Sequence, residues 1–470
     1  MHKKPVVPAM LAMAALIAGC AVGPRYQAPR VAAIKLASAE QGRFASAPST
    51  AAWWSFFDDP ELERLIAAAL EHNHDVRQAY ASLQGARAMF DERALDRYPA
   101  VTAQAAWRQG VQQQAMSSGD PERKPFESFR AGFDAQWEID LFGRLANLAR
   151  SAQAQAEAAQ ADLERVRLAI AADVARYHYE YQGLQRRLDV ARAQADSWRQ
   201  TVRLVDAGVR AGSGLREDLE NARANLARSE AAIAPLRAAS QETRYRLDVL
   251  LGRRPGETPA PAGAGGQAPL VGRLPLGNVD ALIRGRPDVV RAERLLAAST
   301  ASEGAAAADL YPRVSLGGFV GFFALRGGDL GGAARAFEVA PTVDWPAFRL
   351  GSARARLRAA HAQSTGAQAR YEQALLLAQE EVEGAVTRLV LQQERLAALA
   401  RSAAHARSGL EIATRRYRAG AGPYLAVLEN QRSYYQISQE ATDAETASYV
   451  NAVALYKALG WGMDGIREAS

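Results

Sequence analysis

The sequence predicts an α+β chain with an internal two-fold repeat, built from long coiled-coil-like helices and four β-strands. Three observations carry this. First, HDVRQAYASLQGARAMFDERALDRYP (74–99) aligns without a gap with PDVVRAERLLAASTASEGAAAADLYP (287–312), setting Asp75 against Asp288, Tyr98 against Tyr311 and Pro99 against Pro312. RAGSG (210–214) matches RAGAG (418–422), LENAR (219–223) matches LENQR (428–432), and LDVLLG (247–252) matches LYKALG (455–460). Second, each copy carries two alternating apolar and polar runs of strand length. Third, each copy carries an apolar seam far longer than a compact domain needs.

The first 19 residues read as a signal peptide: Lys3 and Lys4, a short apolar run from Val6 to Ile17, then Ala18, Gly19 and Cys20. The run is too short to be a comfortable membrane span. LIAGC at 16–20 resembles the bacterial lipobox, in which Cys20 is lipidated and becomes the first residue of the mature chain. As the single cysteine, Cys20 cannot form an internal disulfide. By analogy with bacterial sorting rules, Ala21 in place of Asp after it points to the outer membrane.

The two copies follow as 60–252 and 278–462, joined by a Pro/Gly-rich linker at 253–277 and followed by a tail at 463–470. In each, a helix of moderate length ends at Tyr-Pro, because proline lacks a donor and biases the preceding residue out of the helical region. The strands of the first copy are expected at about 99–113 and 126–139. Val101, Ala103, Ala105 and Trp107 share one face of the first; Phe129, Ala131, Phe133, Ala135, Trp137 and Ile139 share one face of the second. In the second copy, strands are expected at about 312–324 and 334–345, with Val314, Leu316, Gly318, Val320 and Phe322 on one face of the first and Phe337, Val339, Pro341, Val343 and Trp345 on one face of the second.

A helix from about 141 to 207 comes next, roughly 100 Å long at 1.5 Å per residue. Its seam is Leu163, Val166, Ile170, Val174, Tyr177, Tyr181, Leu184, Leu188, Ala191, Ala195, Trp198, Val202 and Val205, a period near 3.5. After the RAGSG break, Leu215, Leu219, Ala222, Leu226, Ser229, Ile233, Leu236, Ser240, Thr243, Leu247 and Leu250 continue that period on a return helix. The second copy repeats the plan with Val382, Val386, Leu389, Leu396 and Leu410 before RAGAG.

Strands of about ten residues with one apolar face suit an outer-membrane barrel, but four cannot close, since the smallest such barrels have eight. If they span, the chain oligomerises. With LIAGCAVGPRYQAP (16–29), AAWWSFFDDPELERLI (51–66), the two Tyr-Pro exits, WEIDLFGR (137–144) and RYRAGAGPYLAVLENQRSYY (416–435), nearly the whole mature chain resembles the lipoprotein branch of the TolC-type outer-membrane efflux channels. The resemblance implies a homotrimer with a 12-stranded transmembrane β-barrel set in outer-membrane lipid, and an α-helical barrel projecting into the periplasm. It further implies a mixed equatorial region that includes the lipid-anchored segment 20–59, and passive export of drugs or other small molecules. The implied partners are a periplasmic adaptor (membrane fusion) protein and an inner-membrane pump of the resistance-nodulation-division type; no cofactor is implied beyond the covalent lipid on Cys20.

The same resemblance carries the periplasmic aperture onto Tyr417, Leu425, Glu429 and Arg432, where family members often have Asp in place of Glu429. Asp218, Glu220 and Arg223 of the first copy are their counterparts, and the hairpin tips Gly212, Ser213, Gly214, Gly420, Ala421 and Gly422 fall where the adaptor makes contact. Leu425, Glu429 and Arg432 lie four and three apart and so share a helical face. An exposed Glu/Arg pair worth only about 0.2–0.5 kcal/mol is the alternative for the last two.

Other classes find little support. The chain holds 57 basic and 51 acidic residues, interleaved along helical faces, with no clustered basic and aromatic platform for nucleic acid. Of the histidines at 2, 72, 74, 178, 361 and 405, only His72 and His74 are close, on different faces of a helix, and no zinc or nucleophile motif accompanies them. An enzyme is not expected. A periplasmic coiled-coil lipoprotein without a pore would explain the seams but leave the hairpins idle.

Overall fold

The computed structural model describes residues 22–29, 44–45, 52–114, 122–258, 274–275, 278–325 and 331–460. The signal peptide, Cys20 and the tail at 463–470 lie outside them. Element order is β1 (Phe44–Ala45), a 3-10 turn (Trp53–Phe57), α1 (Pro60–His72), α2 (His74–Leu95), β2 (Ala100–Gln114), β3 (Glu122–Ile139), α3 (Arg144–Arg210), α4 (Arg216–Ala231) and α5 (Ile233–Leu250). Then come β4 (Leu274–Pro275), α6 (Val279–Gly285), α7 (Pro287–Ala308), β5 (Arg313–Ala324), β6 (Arg335–Asp344), α8 (Leu350–Arg418) and α9 (Tyr424–Leu459).

The chain forms two compact units. The first draws on Ser82–Gln160, Arg291–Glu372 and the described residues 22–29. Its centre is one antiparallel sheet in the order β2-β3-β5-β6, so the hairpin of each half lies beside the other. Each Tyr-Pro exit is tied to the end of its own hairpin: the Trp137 indole donates to the Arg97 carbonyl at 3.0 Å and the Trp345 indole to the Leu310 carbonyl at 3.1 Å. Such a bond contributes about 0.5–1.5 kcal/mol and fixes the angle at which helix becomes strand. At the other end of WEIDLFGR, Arg144 grips Glu138 with two bonds of 2.9 and 2.6 Å, and Asp140 accepts from the Ala146 amide at the start of α3. The N-terminal segment runs along this unit, with the Val22 amide donating to the Phe142 carbonyl and the Tyr26 hydroxyl to Glu293. A Cβ on Gly23 would come within 2.7 Å of the Gly304 backbone, so the strap and α7 approach as closely as two glycines allow.

The second unit takes in Ala161–Val290 and the described parts of Val31–Ala81 and Gln373–Ser470. Every seam position expected on α3 is buried or half-buried, from Leu163 to Val205. Between Ile170 and Gln182 the burial exceeds one stripe and includes Ala171, Ala172, Ala175, His178 and Tyr179, a belt that the heptad pattern does not foretell. Here the 3-10 turn and α9 contribute Trp53, Phe57, Tyr449 and Tyr456, with Tyr179 stacked on Tyr449 at 4.8 Å between ring centroids and Trp53 on Tyr456 at 5.6 Å. Asp59 caps α1 by accepting from the Glu61 and Leu62 amides, and accepts from the buried His178 ring at 2.8 Å. Burial pushes the Asp59 carboxyl up, but the His178 bond and the two backbone bonds outweigh it and hold the group below its ordinary range.

Three sequence expectations are adjusted. The return helix of the first half is two helices that meet at Ala232, since Pro235 in the first turn of α5 has no amide to donate back across the junction. Leu215 is 67% exposed at the N-cap of α4 instead of in the seam. His72 and His74 sit on separate helices, because Asn73 turns its carbonyl oxygen onto the Asp75 and Val76 amides as a cap for α2.

The repeat holds at atomic detail in this unit as well. The Asn73 amide donates to the Leu250 carbonyl at 2.9 Å, and Arg286, at the matching junction of α6 and α7, donates to the matching Ala458 carbonyl. Gly252 and Gly460 close the two return helices with φ of 69° and 70°.

Candidate functional site

The sheet is amphipathic in register. Val101 faces Ala135 and Ala103 faces Phe133; Phe133 faces Val320 and Ala135 faces Gly318; Gly318 in turn faces Val339 and Val320 faces Phe337. The four apolar faces read from alternation therefore merge into one surface across all four strands, and Val101, Trp107, Phe133, Val320, Phe337, Val339 and Val343 are exposed on it. The opposite surface carries Gln104, Arg108, Arg130, Asp134, Gln136, Ser315 and Glu338 by the same alternation. There Arg130 pairs with Asp134 at 2.5 Å and lies over the Phe319 ring at 4.0 Å. The Phe319 ring covers the facing glycines Gly132 and Gly321, where any Cβ would strike the neighbouring backbone. Among the described residues the outer edges of β2 and β6 have no strand beside them, which leaves two rows of backbone donors and acceptors to be paired elsewhere.

The two glycine turns share one construction. Gly212 (φ 73°) and Gly420 (φ 69°) are left-handed; the Gly212 amide donates to Val209 and Ser213 to Gly208, as Gly420 donates to Tyr417 and Ala421 to Arg416. This bond pair satisfies the last carbonyls of α3 and α8 and reverses the chain. Gly212, Ser213, Gly420 and Ala421 are exposed, with Gly214 and Gly422 half-buried. Pro423 follows as the N-cap of α9, its φ of −75° already suited to helix entry.

Below the turns, Trp198 and Val205 of α3, Leu219 and Ala222 of α4, and Tyr424, Val427 and Leu428 of α9 form one buried cluster, with Tyr417 of α8 against it. Leu425, Glu429 and Arg432 project from the other side of α9, all exposed, Leu425 at 61%. Tyr417 is not with them: its ring lies 5.7 Å from that of Tyr424, under the turn. Asp218 is the acidic neighbour of both tyrosines. Burial first and then the Asp218 charge raise the Tyr417 hydroxyl above its ordinary value, and the same causes push Tyr424 up to about 12 against the opposing pull of Arg432.

The other first-half counterparts behave differently. Glu220 and Arg223 pair with each other at 3.0 Å along α4. Arg432 donates to Asn225 at 3.1 Å, and Glu429 has no hydrogen bond or ion pair within the chain among the described residues. Sequence reasoning missed Asn225 and the buried Tyr424. The latter had a signal, an aromatic residue directly after the helix-initiating Pro423. Among the described residues no group of acids, histidines or cysteines is arranged to hold a metal ion, and no helix is long and apolar enough to cross a membrane.

Comparison with known proteins agrees with this geometry. The family model described as outer membrane efflux protein matches residues 65–253 and 278–461, one copy on each half. The chain is 31% identical to outer membrane protein OprJ of Pseudomonas aeruginosa over 460 residues, covering 97% of this chain and 95% of that one. It is 26% identical over 452 residues to a Salmonella typhimurium protein named "Probable outer membrane lipoprotein SilC", covering 95% of this chain and 96% of the relative. Among solved structures, the outer-membrane channel OprN superposes with a TM-score of 0.90 at 38% identity, over 94% of this chain and all of that one.

Proposed function

The chain belongs to the outer membrane efflux protein family, and from that premise we propose that it is the outer-membrane exit duct of a tripartite efflux system, fed through a periplasmic adaptor by a pump of the resistance-nodulation-division type. The similar protein OprN is an outer-membrane channel, and trimeric assembly of this chain is part of the proposal. The observation that carries the reading is the four-stranded sheet with an apolar surface, a polar surface and two open edges. In lipid every backbone donor and acceptor must be paired, so such a sheet is stable only when copies close it into a barrel. Three copies supply twelve strands, with the apolar surface to lipid and the polar one lining a passage.

Transport through such a passage is passive. In this reading direction comes from the partner that loads the passage. The purified protein is expected to be a trimer and to conduct ions in planar bilayers; a monodisperse monomer without conductance would refute the duct.

Three finer assignments belong to the same proposal. Lipidation of Cys20 is supported by the lipobox-like LIAGC and by the strap at 22–29 packed on the unit that holds the sheet. Acyl labelling that persists in Cys20→Ser would overturn it. Adaptor contact at the glycine turns is supported by their exposure and identical construction. Cysteines at Ser213 and Ala421 are expected to crosslink to an adaptor in cells, and protection of both sites in the isolated channel counts against it. A resting gate at Leu425, Glu429 and Arg432 is supported by their common exposed face opposite the buried cluster.

A further inference from the structure

We propose that the barrel closes between copies in one register, β6 of one chain lying antiparallel to β2 of the next with Val343 opposite Ala105 and Pro341 opposite Trp107. The proposal rests on the oligomeric reading above and adds to it the seam itself.

The argument comes from the repeat. Superposing the halves at their helix exits carries Tyr98 onto Tyr311, and superposing them at the ends of their hairpins carries Trp137 onto Trp345. The two anchors are structurally the same in each half, since each tryptophan donates to the carbonyl directly before its Tyr-Pro. Applied to the first hairpin, these shifts reproduce the second hairpin pair for pair. Ala100 opposite Gln136 becomes Arg313 opposite Asp344, Ala103 opposite Phe133 becomes Leu316 opposite Pro341, and Ala106 opposite Arg130 becomes Phe319 opposite Glu338, as observed. The repeat therefore preserves hydrogen-bond register to the residue.

Within the four-stranded sheet one junction joins the halves, β3 against β5. A ring of copies needs a second junction of the same kind, from the end of the second half to the start of the first half of the next copy. Carrying β3 onto β6 and β5 back onto β2 converts Ala135 opposite Gly318 into Val343 opposite Ala105, and Phe133 opposite Val320 into Pro341 opposite Trp107. Ala131 opposite Phe322 becomes Val339 opposite Gln109, and Phe129 opposite Ala324 becomes Phe337 opposite Val111. Each derived pair joins residues of the same surface, so the apolar band continues across the seam; a slip by one residue would turn one strand's apolar side to the lumen. A slip by two keeps the faces, and only the internal template distinguishes it.

Disulfide trapping in the full-length chain, with native Cys20 kept, tests this. Oxidation of Val343→Cys/Ala105→Cys in outer membranes is expected to give a covalently closed trimer on non-reducing gels. Yield should exceed that of Val343→Cys/Ala103→Cys and Val343→Cys/Trp107→Cys by at least about tenfold, because diagonal partners stand about 7–8 Å apart, beyond disulfide reach. Val339→Cys/Gln109→Cys reads the same register if the first pair disturbs assembly. A trimer by light scattering that crosslinks as well or better at a slipped pair, or at none of the pairs, overturns the register while leaving the oligomer intact. A monomer by light scattering overturns the oligomeric reading and the seam with it.

Discussion

Glu429 is exposed and unpaired within its own chain among the described residues, three residues from an Arg432 that is already engaged with Asn225. In the proposed gate the Leu425, Glu429 and Arg432 side chains would each recur three times around the axis of a trimer, setting an apolar ring one helical turn from a ring of carboxylates, an arrangement that favours cations. Replacing Glu429 and Arg432 together by Ala is expected to raise single-channel conductance and weaken cation preference, while Leu425→Ala raises conductance with little change in preference. Trimer stability should change by less than about 1 kcal/mol in either case, because all three side chains are exposed and the one bond lost, from Arg432 to Asn225, is a surface bond. Bilayer recordings and thermal melts of the three proteins check this, and unchanged conductance in both variants would reduce these residues to ordinary helix surface. That the three share a face was legible from their spacing alone. The Asn225 partner was not: which side chain on α4 meets Arg432 depends on how two helices are rotated against each other, and a single helix's period carries no record of that.

Among the elements, the two glycine turns offer a matched pair for measurement. A Cβ on Gly212 or Gly420 meets nothing within 4 Å, so Gly→Ala there costs only the left-handed backbone, about 1–2 kcal/mol. The Ser213 and Ala421 amides, bonded to Gly208 and Arg416, should then exchange hydrogen about tenfold faster at each turn, in line with about 1.4 kcal/mol of local destabilisation. The neighbouring glycines break the symmetry. A Cβ on Gly214 would lie 2.9 Å from the Val209 backbone nitrogen, whereas on Gly422 its nearest neighbour is the Arg416 Cβ at 3.4 Å. Gly422→Ala is thus expected to leave exchange unchanged and Gly214→Ala to accelerate it; equal behaviour of the two would contradict the geometry. RAGSG and RAGAG announced the turns in sequence, but the difference in crowding lies in how closely each turn folds back on its helix, onto the backbone at Gly208 and Val209 in one half and only as far as the Arg416 side chain in the other.

At the scale of the molecule, the faces of the strands were legible because side chains alternate with a period that no packing detail can change, and the structure aligns all four apolar faces in register. The aromatic belt around Tyr179 was not, since it forms where segments distant in the chain converge on a helix whose seam already satisfied the pattern. The same alternation supplies a test of which surface meets lipid. Val320 and Gln136 lie on the two central strands, on opposite surfaces. Val320→Arg should cost about 2–4 kcal/mol if it faces the bilayer midplane, enough to lower the amount of heat-resistant trimer recovered from outer membranes. Gln136→Arg, facing water in the lumen, should assemble normally and shift ion preference toward anions by adding three positive charges to the wall. A solvent-exposed scaffold without a pore would tolerate both substitutions alike, and a barrel turned inside out would reverse them, so the pair separates the duct from each rival on one gel and one recording.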